Sequence, residues 1–197
     1  MERTVDKEIR PFLKEHLHTL YGDVPIYEEL AIAYHSTVVD MVVLAQGELI
    51  GLEIKSGKDN LRRLPTQIKN YDKVFSRNYI VVDDNHLEKV ERMVPHYWGI
   101  ILAYHDGTGD VFIELYRDAE ENPNQDAYWV LELLWREELT YLMKKHEIYR
   151  GMSKARMVER RRKLLLHLSL YDTVQEVIHL LPQRDGWKSN KEEEVEV

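Results

Sequence analysis

Cysteine is absent from the 197-residue chain. Without thiols the chain can form no disulfide bond, no thiolate zinc site and no cysteine nucleophile. A small secreted domain held together by disulfides is therefore excluded. The absence fits a reducing compartment, so we expect a cytoplasmic location.

Long apolar runs are missing as well. No stretch approaches the roughly 18–20 apolar residues that a bilayer crossing needs, and the first ten residues, MERTVDKEIR, are charged with no apolar region behind them. We therefore expect neither a membrane span nor a signal peptide, and no membrane partner. Hydrophobic residues make up 44% of the chain, which is enough for the core of one domain with a small appendage.

An excess of positive charge is the third feature that the sequence lacks. Lys and Arg number 27 against 35 Asp and Glu, a net charge of −8. A protein that coats nucleic acid indiscriminately should be basic, so that function class is disfavoured. Two segments are nevertheless locally basic, 51–80 with a net charge of +4 and 150–163 with +6. The final residues from Lys191, KEEEVEV, are acidic, and we expect a disordered tail there.

Hydrophobic periodicity predicts alternating helices and strands in the first part of the chain. Helices are predicted at Val5–Leu20, Leu61–Phe75 and Leu87–Met93, and strands at Ile26–Tyr34, Val38–Leu44, Leu49–Lys55, Asn78–Asp83, Trp98–Tyr104 and Asp110–Tyr116, with a turn at Asp106-Gly107. From Tyr128 to about Pro182 the pattern is helical. This order predicts an α/β fold with a central mixed β-sheet flanked by helices, plus a C-terminal helical module.

The polar stretch from Glu120 to Asp126, which carries a proline, is a natural boundary between these parts. We therefore expect a core domain at 1–120, a helical module at 121–190 and the acidic tail at 191–197.

The hairpin from Val38 to Lys55 is the most informative stretch. Gln46-Gly47 suits a tight type I′ turn, for which Gly at the second position is favourable. If these two residues form the loop, Asp40 lies opposite Glu53, and strand alternation places Lys55 on the same face. Opposed carboxylates destabilise a hairpin unless a cation lies between them. Mg²⁺ binds one or two carboxylates and keeps waters, and the lysine ammonium beside it could orient an attacking water. The alternative is a half-exposed hairpin on which the three residues are ordinary solvated charges.

An Asp followed after a dozen or so residues by Glu-x-Lys on the next strand resembles the PD-(D/E)xK nuclease superfamily, with Val39-Asp40 in place of Pro-Asp. The helix that follows carries Gln67 and Tyr71, which resemble the Q-x-x-x-Y signature of some branches of that superfamily. The run from Gly51 to Asp84 is similar to the sce7726 family, whose members are placed in the same superfamily. The resemblance covers about Pro25 to Tyr116.

This resemblance implies a restriction-endonuclease-like core in which Asp40 and Glu53 bind Mg²⁺ or Mn²⁺ and Lys55 serves the hydrolytic water. The Ile54 carbonyl would be a further metal ligand, and Glu29 would be the upstream acid, with Glu28 as second choice. Gln67 and Tyr71 share one helix face and could contact phosphate or a base, or could simply pack.

Two basic clusters are candidates for contact with nucleic acid. The first surrounds the start of the helix after the hairpin, where Lys58, Arg62, Arg63 and Lys69 could neutralise backbone phosphates. The second lies in the segment 134–163, which predicts a helix, a link broken by Gly151 and a second helix capped by Ser153. This segment loosely resembles a SAP-type DNA-binding motif, and its candidates are Lys154, Arg156, Arg160, Arg161 and Arg162. Either cluster could instead be a solvated helix face.

The sequence therefore predicts a Mg²⁺-dependent nuclease that hydrolyses phosphodiester bonds of DNA. The alternative is a catalytically silent nuclease-fold module that binds DNA or a protein partner. Apolar residues of the C-terminal helices, such as Met152 and Met157, fit core packing or a homodimer.

Overall fold

A computed structural model describes residues 4–105 and 110–184. Within them the chain forms six strands, Ile26–Ile32 (β1), Thr37–Ala45 (β2), Glu48–Lys55 (β3), Arg77–Val82 (β4), Gly99–His105 (β5) and Val111–Arg117 (β6). Its α-helices are Asp6–Tyr21 (α1), Leu64–Val74 (α2), Asp84–Met93 (α3), Ala127–Val130 (α4), Arg136–Lys145 (α5), Met157–Leu164 (α6) and Leu170–Leu180 (α7), with 3-10 turns at Leu131–Leu133 and Leu181–Gln183.

The strands form one mixed sheet in the order β1-β2-β3-β4-β5-β6. The pairs β1–β2, β2–β3 and β5–β6 are antiparallel, and β3–β4 and β4–β5 are parallel. Helices α2 and α3 make the two parallel crossovers, as parallel strands require. The predicted α/β fold with a central mixed sheet flanked by helices is therefore confirmed. The predicted turn at Asp106-Gly107 and the acidic tail lie outside the described residues.

Each face of the sheet has its own hydrophobic cluster. Ile9, Leu13 and Leu17 of α1 lie one helical turn apart and pack on one face, in a cluster that includes Met41 and Leu52. On the other face α2 and α3 share a cluster with the helices after residue 126. The predicted helical module therefore packs directly against the sheet rather than forming a separate core.

The polar segment between β6 and α4 is fastened to the end of α2. Asn122 Nδ2 donates to the carbonyls of Asp72 and Phe75 at 2.7 Å each, and Gln125 Nε2 donates to the carbonyl of Val74 at 2.8 Å. These bonds satisfy carbonyls at the helix C-terminus that have no partner within the helix. The segment that the sequence predicts as a boundary is thus a packed connection.

A close contact between Gly51 and the Phe75 ring determines how α2 packs on the sheet. A Cβ atom added at Gly51 of β3 would lie 2.4 Å from the Phe75 ring, so this position needs glycine. The contact holds the C-terminal end of α2 against β3, with Tyr71 fully buried over the same strand.

Candidate active site

The β2–β3 hairpin has the predicted turn and register. Gln46 and Gly47 both adopt positive φ values, 53° and 78°, as a type I′ turn requires. The ladder pairs Ala45 with Glu48 and continues to Met41 with Leu52. The predicted register is therefore confirmed over this ladder.

The expected direct pair of Asp40 with Glu53 is not formed, because the sheet opens at Asp40. The β2–β3 ladder ends at Met41–Leu52, and the β1–β2 ladder skips the position of Glu29 opposite Asp40. Instead, Asp40 Oδ2 accepts a hydrogen bond from the Ile54 backbone N–H at 2.7 Å. Glu29 has a φ of 59°, a strained value for a residue other than glycine. The opening gives the Asp40 side chain access to a pocket.

Glu53 lies at the centre of a buried hydrogen-bond cluster. Its Oε1 accepts hydrogen bonds from Lys55 Nζ and Gln67 Nε2, and its Oε2 accepts one from Tyr71 OH at 2.5 Å. Glu53 and Lys55 are 1% and 5% exposed. A buried ion pair of this kind needs such additional hydrogen bonds to offset its loss of hydration.

Asp40, Glu53 and Lys55 line one open pocket of about 470 Å³. Strands β2 and β3 provide the floor, and Arg63, Thr66 and Gln67 from the start of α2 form one wall. Another wall is formed by residues 35–38, at the end of the loop between β1 and β2 and the start of β2. Glu29 and Ile54 also line the pocket. The structure thus brings together all the residues that the sequence assigned to the metal site.

Tyr71 packs in the core, which is one of the two alternatives that the sequence left open. It is fully buried, so it does not contact a phosphate or a base, as the other alternative required. Its hydroxyl donates to the Glu53 carboxylate and positions it. Burial, followed by the negative charges of Glu53 and Asp40, raises the pKa of Tyr71 well above its usual value. Gln67 does reach the pocket, where it also holds Glu53, while its Oε1 has no hydrogen-bond partner among the described residues.

Arg10 of α1 is a site residue that the sequence analysis missed. Its guanidinium donates to the Asp40 carbonyl at 3.0 Å and lies 3.2 Å from Glu29 and 3.3 Å from Glu28. These three partners lie 18 to 30 positions further along the chain. Its local partner Asp6, four residues before it, indicates only an ordinary ion pair on a helix. Glu29 therefore faces a cation of the protein itself.

The basic residues of the first cluster lie on the surface. Lys58, Arg62, Arg63 and Lys69 are exposed, and Arg63 also lines the pocket. Their predicted role in phosphate binding remains compatible with this placement.

The second basic cluster is only partly available for contact with nucleic acid. Arg160 is 1% exposed and donates to the carbonyls of Met152, Ser153 and Ala155 and to Thr140 Oγ1. Arg161 is 5% exposed, with its guanidinium near aromatic rings. Both were predicted to contact nucleic acid, and for these buried residues the prediction is wrong.

The helix that carries this cluster also starts later than predicted. The helix α6 begins at Met157 with Arg156 as its N-cap, not after Ser153. The residues between Ser153 and α6 are not helical, and backbone carbonyls of this link bind the Arg160 guanidinium. Lys154, Arg156 and Arg162 are exposed.

Burial changes the acidity of Asp40. Desolvation, followed by repulsion from Glu53, raises the pKa of the Asp40 carboxyl to about 7, although the Ile54 N–H, Lys55 and Arg10 oppose the shift. The negative charges of the Asp40 and Glu53 carboxylates repel each other in this pocket, and a cation bound between them would reduce the repulsion. Among the described residues, no group of three or more acidic or histidine side chains is arranged to hold a metal ion. The donors that fit Mg²⁺ are the two carboxylates and backbone or water oxygens, a set that Mg²⁺ commonly uses.

We predict that the metal-free protein becomes less stable as the pH rises from about 4 to about 7. The folded protein binds more protons than the unfolded chain between the ordinary pKa of Asp, 3.8, and the raised value of about 7, so the free energy of unfolding falls across this range. The expected loss from this group is on the order of a few kcal/mol. Urea unfolding at several pH values measures it in EDTA.

The control for this prediction is Asp40→Asn, which keeps the shape and an acceptor for the Ile54 N–H. This variant should lack the part of the pH dependence due to Asp40 and should be more stable than the wild type at neutral pH. Identical pH profiles for the two proteins would contradict the assignment.

The fold and the pocket together define an α/β protein with a buried acid–lysine cluster at the opening of a hairpin. The chain belongs to the bacteriophage P4 protein cII family, whose model matches residues 2–193. Curated proteins give no significant match to this chain.

A solved structure, the SPO1766 protein of unknown function from Silicibacter pomeroyi, is similar to this chain with 18% identity and a TM-score of 0.47. The similarity covers 77% of this chain and 94% of that one. Among the helices of residues 4–105 and 110–184, none has the length and apolarity that crossing a membrane would require.

Proposed function

We propose that this protein is a Mg²⁺-dependent nuclease of the PD-(D/E)xK type that hydrolyses phosphodiester bonds of DNA. One observation carries the proposal: the buried Glu53–Lys55 pair faces Asp40 in a single solvent-accessible pocket. An acid pair with a lysine on adjoining strands is the residue set that the sequence resemblance implies. The placement of Ile54 and Glu29 in the same pocket supports the proposal further.

In this proposal the polar residues in and around the acid–lysine cluster have separate parts in the chemistry. Asp40 and Glu53, with the Ile54 carbonyl, would hold Mg²⁺, or Mn²⁺ in its place. The bound ion would supply Lewis acidity and lower the pKa of a water. Lys55 Nζ, fixed against Glu53, would orient the attacking water and hold or move its proton. Gln67 and Tyr71 fix the orientation of the Glu53 carboxylate, and Arg10 anchors the backbone of Asp40.

A second candidate function is a silent nuclease-fold module that binds DNA or a protein partner. The observation that favours it is that the Glu53 carboxylate already accepts three hydrogen bonds from the protein. An ionised carboxylate offers about four lone-pair sites, so metal binding at Glu53 would use the last of them or replace a donor. The two candidates differ in whether the pocket supports metal-dependent cleavage.

Cleavage of DNA by the purified protein tests the proposal directly. The substrates should include linear duplex, branched and single-stranded DNA at low salt, because the net charge of −8 opposes tight binding at physiological salt. We expect strand cleavage with Mg²⁺ or Mn²⁺, none in EDTA, and none with Asp40→Asn. If the wild type binds DNA but cleaves none of these substrates, the silent module is the better assignment.

We also predict that Mg²⁺ raises the melting temperature of the wild type. A ligand that binds the folded state stabilises it by about 1.4 kcal/mol at ~10 times its Kd, which corresponds to about 3–6 °C for a protein of this size. The physical reason is that the ion relieves the repulsion between Asp40 and Glu53. Differential scanning fluorimetry with Mg²⁺ against EDTA measures the shift.

Asp40→Asn is again the matched variant, because it removes one ligand charge and keeps the local hydrogen bond. We expect it to lose most of the Mg²⁺ shift. An equal shift in both proteins would place the ion elsewhere and count against this pocket as the metal site.

A further inference from the structure

An aromatic cluster lies beside the pocket, formed by Tyr34, Tyr128 and Trp129. The Tyr34 ring meets the Trp129 ring at a centroid distance of 5.4 Å and an angle of 67°, and its hydroxyl lies 2.7 Å from the Tyr128 hydroxyl. Tyr34 is nevertheless 55% exposed. A large aromatic ring is thus held in a fixed orientation while much of its surface contacts solvent.

The backbone around Tyr34 forms a strained turn that exposes the side chain. Ala33, Tyr34 and His35 all have left-handed φ values, 51°, 54° and 63°, which cost free energy in residues other than glycine. The Tyr34 N–H donates to Glu132 Oε1 at 3.1 Å, so the turn is tied to the helical segment after residue 126. Core packing does not explain this strained turn, because the side chain it presents lies largely outside the core.

Two cations lie close to the aromatic cluster. The guanidinium of Arg161 lies 5.9 Å from the Tyr34 ring centroid and 5.7 Å from that of Tyr128, and its buried Nε has no hydrogen-bond partner among the described residues. Lys73 Nζ lies 4.4 Å from the Trp129 ring centroid. Arg161 is buried under the rings and helps to hold them in place, whereas Lys73 is partly exposed. A cation beside an exposed aromatic ring is the combination that binds single strands, since a base stacks on the ring and a phosphate pairs with the cation.

The aromatic cluster is continuous with the pocket. The residues that follow Tyr34, from His35 to Val38, line the pocket wall. Asn70 of α2 donates to Thr37 Oγ1 at 2.7 Å and accepts from Lys73 Nζ at 3.3 Å. Gln67 at the pocket and Lys73 at the cluster lie six residues apart on α2, about 9 Å along the helix axis. That is about two to three nucleotides of a stacked strand.

We propose that Tyr34 is a stacking platform for an unpaired base of single-stranded DNA that extends from the pocket. The proposal deepens the proposed function, on which it rests, by specifying the substrate as a strand with at least one unpaired base near the cleaved bond. Inside a duplex both faces of each base are covered by its neighbours, so a blunt duplex offers a free face to Tyr34 only at its two terminal base pairs.

Fluorescence anisotropy with labelled oligo-dT and with a blunt duplex, both in EDTA to prevent cleavage, tests the platform. Stacking on one aromatic side chain changes affinity by about 5-fold or more per base. We expect Tyr34→Ala to weaken binding of oligo-dT by that factor and to change duplex binding by less than about 2-fold. Tyr34→Phe and Tyr34→Trp should keep most of the affinity, because both retain a ring.

Tyr141→Ala is the matched control, since Tyr141 is a similarly exposed tyrosine on α5 (49% against 55%). It should leave both affinities unchanged. The platform is overturned if Tyr34→Ala binds oligo-dT like the wild type, if it weakens duplex binding equally, or if the wild type does not bind oligo-dT. Melting curves of each variant confirm that the comparison is between folded proteins.

The same proteins assayed for cleavage with Mg²⁺ separate this inference from the proposed function. Cleavage by the wild type with unchanged oligo-dT binding by Tyr34→Ala would overturn the platform and leave the nuclease. Oligo-dT binding that depends on Tyr34 without cleavage by the wild type would support the platform and overturn the nuclease.

Discussion

Replacing Lys55 with alanine is expected to lower Mg²⁺-dependent DNA cleavage by about 10²-fold or more, the range for loss of a group that moves a proton in the transition state. DNA affinity should change little, because Lys55 is 5% exposed and lies against Glu53, where it can make few contacts with the backbone of bound DNA. Single-turnover cleavage rates and anisotropy titrations measure the two effects separately.

Two further variants make this result interpretable. Removing Lys55 leaves Glu53 as a buried charge without its cation, which costs about 3–5 kcal/mol, so Lys55→Ala could lose activity by unfolding. Lys55→Gln keeps a hydrogen-bond donor toward Glu53 but cannot exchange a proton, and it should fold and remain inactive. Folded Lys55→Gln that cleaves at the wild-type rate would contradict the role assigned to the lysine.

Lys58 provides a neighbouring control, three residues further along the chain and exposed. Lys58→Ala should weaken DNA binding, reduce the salt dependence of binding by about one charge and preserve the cleavage rate at saturating enzyme. For an enzyme we therefore expect Lys55→Ala to lower the cleavage rate and Lys58→Ala to lower the affinity for DNA. A binding module without activity would not show this separation.

The hairpin register could be predicted from sequence because local rules determine it. Gly47 accepts the positive φ of the turn, and alternating apolar residues on both strands fix which side chains share a face. Every one of these signals lies within the eighteen residues from Val38 to Lys55, so the register could be predicted without tertiary information. The assignment of a metal site depended further on the family resemblance and on Gln67 and Tyr71 of the next helix.

The opening at Asp40 could not be predicted in the same way. It depends on the strained backbone of Glu29 and on Arg10, which reaches the Asp40 carbonyl from α1. Strand alternation gives every residue a partner in the ladder, whereas the structure gives Asp40 the N–H of Ile54 and the guanidinium of Arg10 instead. The departure from the regular pattern occurs at the proposed site, where local rules are expected to fail.

The error in the second basic cluster has a different cause. Net charge over the segment 150–163 cannot distinguish a buried arginine from an exposed one. Helical periodicity could have distinguished them. Arg160 and Arg161 lie three and four residues after Met157, and Leu164 follows at the same spacing, so all four lie on one face of α6. The two arginines therefore share the inward face with apolar residues, while Arg162 faces solvent.

Replacing Arg160 with alanine is accordingly expected to destabilise the protein by about 2–4 kcal/mol, the range for breaking a buried hydrogen-bond network. The guanidinium donates to three carbonyls of the link before α6 and to Thr140, and these acceptors would lose their partners together. The melting temperature should fall by about 4–16 °C. Calorimetry or urea unfolding measures the change.

Arg162→Ala is the control two positions along the same helix, where an exposed side chain should change stability by no more than about 0.5 kcal/mol. Arg160→Lys should recover only part of the lost stability, because an ammonium cannot reproduce the planar fork that spans several carbonyls. DNA affinity, measured below the melting temperature of every variant, should depend on Arg162 and not on Arg160. Equal losses of DNA affinity for both alanine variants, with no loss of stability for Arg160→Ala, would restore the reading of Arg160 as a phosphate contact and contradict its structural role.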